Sequence, residues 1–77
     1  MNKQTRKKLS EIIETLQEQQ SAISEIADEE QDKADNMPEN MQMSDRHDEF
    51  EEIASMLTDA SDSLEDVIDQ IQEVIDR

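Results

Sequence analysis

The chain has 77 residues, with 22 Asp and Glu against seven Lys and Arg, for a formal net charge of −15. That balance excludes direct binding to nucleic-acid phosphates, which needs a basic surface. The length allows one domain and no enclosed pocket of enzyme size. Without cysteine there is no disulfide, no thiolate nucleophile and no cysteine zinc site.

Leu, Ile, Val and Phe make up about a fifth of the residues, which by composition alone falls on the disordered side. Their positions argue the other way. The first eight residues hold Lys3, Arg6, Lys7 and Lys8, but acids interrupt the apolar residues that follow, Leu9, Ile12 and Ile13. No signal-peptide core is therefore expected, and no bilayer-spanning run. With Leu9 at position a of a heptad, a reads Leu9, Leu16 and Ile23, d reads Ile12, Gln19 and Ile26, and e reads Ile13, Gln20 and Ala27. This periodicity predicts a helix over about 5–35.

Glycine is absent and Pro38 is the only proline. Tight hairpin turns of β type are thereby disfavoured, and residues 36–44 read as the single break. Asn36 is placed to end the first helix in a left-handed conformation, and Pro38 disfavours helix at Met37. Met37, Met41 and Met43 are expected to cover the end of the core beside Phe50. Ser44 or Asp45 can cap a second helix over about 45–76. There, a reads Phe50, Leu57, Leu64 and Ile71, d reads Ile53, Ala60, Val67 and Val74, and e reads Ala54, Ser61, Ile68 and Ile75.

Two long helices on a short connection predict an all-α antiparallel hairpin, coiled-coil-like, forming one domain over residues 1–77. Folding about the loop brings Gln19 and Gln20 to Ala60 and Ser61 as a small polar layer. It also brings the basic start beside Asp69, Glu73 and Asp76, relieving unfavourable helix-dipole charges at both ends. A stripe of a, d and e residues is wider than a two-helix seam, so the hairpin is expected to dimerise into a four-helix bundle.

The chemical inventory is thin. His47 has Glu51 one turn away, but no further group assembles a catalytic site around it. Without Gly there is neither a phosphate-cradling loop nor a nucleophile elbow. The clusters Asp59, Asp62, Glu65, Asp66, Asp69 and Asp28, Glu29, Glu30, Asp32 do not match an EF-hand loop. The expectation is no enzyme, no cofactor and no dedicated metal site.

The acids themselves carry the functional signal. Glu18, Glu25 and Asp32, with Glu52, Asp59, Asp66 and Glu73, occupy position c; Asp28, Asp62 and Asp69 occupy f. Same-sign neighbours three or four residues apart weaken a lone helix, so stability does not explain them. Spread along a rod of about 45 Å, they give roughly one charge per 2 Å, against one per about 1.7 Å in duplex DNA. A rod of this kind suits a nucleic-acid-binding groove; an ordinary solvated acidic surface is the plainer account.

The connector Asn36-Met37-Pro38-Glu39-Asn40-Met41-Gln42, followed by Ser44, Arg46 and an acidic, Ile/Leu/Val-patterned helix, resembles a group of small proteins of bacteriophages and prophages. The likeness spans about residues 30–77. It implies a phage context, a cytoplasmic location in a bacterial host, and inhibition of a host nucleic-acid-binding or defence protein through a basic surface. The alternative is an assembly adaptor that docks its apolar e face, with Ile13, Ile68 and Ile75, on another helical protein.

Overall fold

A computed structural model describes residues 1–41 and 44–77. Helix α1 runs Lys3–Asp35, a single 3-10 turn covers Glu39–Met41, and helix α2 runs Asp45–Ile75. The two helices pack side by side and antiparallel as a rod of 60 × 15 × 12 Å, with no strand among the described residues. No helix among those residues is long and apolar enough to cross a membrane.

Each boundary has a local cause. Asn2 has extended backbone and its Oδ1 accepts from the Thr5 amide at 2.8 Å, so α1 starts at Lys3, before residue 5. At the other end, Asn36 does not take the expected left-handed conformation: its φ and ψ are −91° and 2°, and no described residue has positive φ. The helix instead tightens at its last turn. The Asn36 amide donates to the Asp32 carbonyl at 2.9 Å and the Met37 amide to the Ala34 carbonyl at 3.3 Å, before Pro38 prevents continuation. Ser44 caps α2. Its Oγ accepts from the His47 amide at 3.3 Å and donates to the Met41 carbonyl, tying the cap to the loop. Met37 is half-buried and Met41 exposed, while Gln42 and Met43 lie outside the described residues. Phe50 lies between two cations, Lys33 at 5.7 Å and Arg46 at 5.8 Å from the ring centroid.

The seam is narrower than the apolar stripe. Its centre is row e: Ile13, Ala27, Ala34, Ala54, Ser61 and Ile68 are buried. Row a flanks it, with Leu9, Leu16, Ile23, Phe50, Leu57, Leu64 and Ile71 half-buried, as is Ile75 of row e. Row d is not in the hairpin core. Ile12, Ile26, Ile53, Val67 and Val74 are exposed, and so are Gln19 and Ala60. The reason is steric: Ala27, Ala34, Ala54 and Ser61 let the backbones approach, whereas a seam through d would lose that approach. The mid-rod polar layer is accordingly Gln20, Ser24 and Ser61. Gln20 Nε2 donates to the Ser61 carbonyl at 3.0 Å, and the Ser24 and Ser61 hydroxyls lie 2.9 Å apart.

Candidate functional site

Antiparallel helices that share an a/e seam turn equivalent heptad positions to the same side of the rod. Rows b and f of both helices therefore line one broad side, rows d and g the opposite one, and row c the two edges. This places the acids and the leftover apolar residues on different surfaces.

Every acid predicted for partner binding is exposed: Asp28, Asp62 and Asp69 of row f lie on the first side, while Glu18, Glu25 and Asp32 of α1 and Glu52, Asp59, Asp66 and Glu73 of α2 lie along the two edges. Along each helix, c and f alternate every three or four residues, so carboxylates recur about every 4.5–6 Å of rise. Over the 60 Å rod, 22 acids amount to one per about 2.7 Å, sparser than the expected spacing and than duplex DNA. The rod is longer than 45 Å because α1 begins earlier and the loop and both ends extend it.

Cations hardly compensate these charges. Among the described residues the one Lys or Arg ion pair is Lys33 with Glu30, 2.8 Å apart. Glu30 is the acid that falls in row a, and the pairing lets it stay half-buried at the loop end. The expected relief at the other end takes a different form. Arg6 stands in the seam row and donates to the Arg77 carbonyl at 3.1 Å, while Asp69, Glu73 and Asp76 face outward without an ion pair to the basic start. So the chain ends do meet, through a backbone acceptor.

His47 is also in the seam row, at the loop end. Its Nε2 lies 3.6 Å from Glu51 and its Nδ1 3.7 Å from Asp48, so three possible ligand atoms converge within 4.8 Å. Sequence spacing identified Glu51; Asp48 was missed, although adjacency to His47 in the first helical turn was the available signal. Both carboxylates are exposed, and the imidazole turns toward the seam, so the arrangement is a polar cluster in the first turn of α2.

The second surface corrects the adaptor reading. Ile13 is 6% exposed and Ile68 4%, so row e is spent on the hairpin itself and is not offered to another protein. What is offered is row d, where Ile12 and Ile26 are each 47% exposed and Val67 43%, together with Met56 of row g. Of the 22 acids, only Glu29 and Glu49 occupy a d or g position. An open groove beside Ile12, lined by Lys8, Glu11, Thr15 and Leu16, lies along the same side of α1.

No family model, no curated protein and no solved structure matches this chain.

Proposed function

We propose that this chain is a non-enzymatic acidic binding protein whose carboxylate surface occupies the basic, nucleic-acid-binding surface of another protein and blocks it. The observation that supports this reading is the uncompensated state of the acids. The c and f carboxylates stand exposed on a rigid pair of helices with almost no cation of the chain's own to pair with. Their mutual repulsion persists in the free protein and is relieved when a cationic groove replaces water and counterions. The connector's resemblance to phage proteins makes a bacterial host protein the target to seek.

The test uses the intact chain immobilised and exposed to a nuclease-treated bacterial lysate, with elution by a salt gradient or by duplex DNA. The expected result is capture of nucleic-acid-binding proteins that both eluents release, with retention lost when Asp59→Lys, Asp62→Lys, Asp66→Lys and Asp69→Lys are combined. Retention unchanged by those four substitutions, or insensitive to salt, would overturn the reading.

A further inference from the structure

We infer that the d/g surface is the interface with a second copy of this chain, docked face to face with the loop end of one copy against the chain ends of the other. This is independent of the acidic-surface proposal, because it uses the opposite side of the rod.

The need for cover comes from burial. Ile12, Ile26, Ile53, Val67 and Val74 remain between 36% and 47% exposed, and Met56 is 64% exposed, all on one side. Six exposed apolar side chains gathered on one side of so small a rod mark a contact site.

Charge selects the occupant. Each copy carries a net charge of −15, so two copies repel across any surface lined with acids. The d/g surface is the side where two copies can meet, since Glu29 and Glu49 are its only acids and Lys8, Lys33, Arg46 and Arg77 share it.

Charge also selects the orientation. Both acids stand toward the loop, accompanied there by Lys33 and Arg46 of row d, whereas Lys8 stands near the start of α1 and Arg77 just past α2, at the other end with no acid of this surface beside them. Two symmetric face-to-face arrangements exist. With loop ends together, α1 lies over the partner's α2, so Glu49 meets the partner's Lys33, the residue level with Phe50 within one copy, and Lys8 meets the partner's Arg77. With the rods reversed, α1 lies over the partner's α1, and Lys8 meets the partner's Glu29 while Arg77 meets the partner's Glu49. The first sets Lys8 against the like charge of the partner's Arg77, whereas the second gives both of these cations an acid and sets Lys33 near the partner's neutral Thr5.

The apolar residues agree with the reversed arrangement. A two-fold axis at Gln19 sets Ile12 against the partner's Ile26. On α2 the same operation, centred near Ser63, sets Ile53 against the partner's Val74 and Ala60 against the partner's Val67. The hairpin register meets this requirement, since the bond from Gln20 to the Ser61 carbonyl holds that stretch of α1 level with that stretch of α2. Small, neutral Ala22, Ala60 and Ser63 surround the axis, where the helices of the two copies come closest.

Light scattering after size exclusion, with the intact chain across the micromolar range, tests the copy number. The expected mass is twice 8.9 kDa, falling to 8.9 kDa for Ile12→Asp and for Val67→Asp, with helical circular dichroism retained because both side chains are exposed in the hairpin. The orientation is read by oxidation, the chain being free of cysteine. Gln19→Cys should give a disulfide-linked dimer, and Glu29→Cys should not. A monomer throughout the range would overturn the proposal, as would a dimer that Ile12→Asp and Val67→Asp leave intact. A dimer in which Gln19→Cys forms no cross-link would overturn the orientation. Should Ile12→Asp lose its helix, Val67→Asp and the two cysteine variants still decide.

Discussion

At the scale of single residues, neighbours with nearly the same chemistry have different duties. Val67 and Ile68 are consecutive, yet Ile68 is buried in the seam and Val67 is 43% exposed. Ile68→Ala removes a side chain that is only 4% exposed from a thin core and is expected to cost about 2–4 kcal/mol in denaturant unfolding. A loss below about 1 kcal/mol would show that row e is not the seam. Ser61 shows the same logic with polar chemistry. A hydroxyl at that buried position needs a partner, and Ser24 supplies it 2.9 Å away. The Gln20–Ser61 meeting was legible from the heptad register. Ser24 was not, because a row-b serine looks solvent-facing until the inter-helix distance is known.

At the scale of elements, the helices are set by their ends as much as by their interiors. Ser44 is tied on both sides, accepting from His47 and donating to Met41, so it joins the start of α2 to the 3-10 turn. Ser44→Ala should lower stability by about 1 kcal/mol, measured by thermal unfolding followed at 222 nm. An unchanged midpoint would mean that Asp45 or water takes over the cap. Helix existence was legible because no Gly or interior Pro interrupts either apolar stripe. The mode of ending α1 was not: Asn36 permits a left-handed cap, but with Pro38 two residues on, a tightened last turn satisfies the carbonyls at ordinary backbone angles. The choice between rows d and e had a signal that composition counts miss. Row e is free of acids and lysine from Ile13 to Ala34 and from Ala54 to Ile75, whereas row d contains Gln19 and Lys33. Small residues in an apolar row mark where two backbones come closest.

At the scale of the whole molecule, the net charge opposes the fold it decorates. The hairpin brings two acidic helices together with one Lys–Glu ion pair among the described residues, so added salt should stabilise it. Raising ionic strength from about 0.01 M to about 1 M shortens the Debye length from about 30 Å to about 3 Å, and the thermal midpoint should climb across that range. A midpoint that falls instead would reveal attractive pairs that outweigh the repulsion.

The amino-acid order by itself determined two helices, one break and the separation of acids from apolar residues, because these depend on periodicity and on the absence of glycine. Only the tertiary structure decided which apolar row is consumed inside the hairpin. Three adjacent rows compete for a seam two rows wide, and inter-helix distance, through the size of Ala27, Ala34, Ala54 and Ser61, selects between them. That choice turns row d outward and leaves the −15 charge with one side almost free of it.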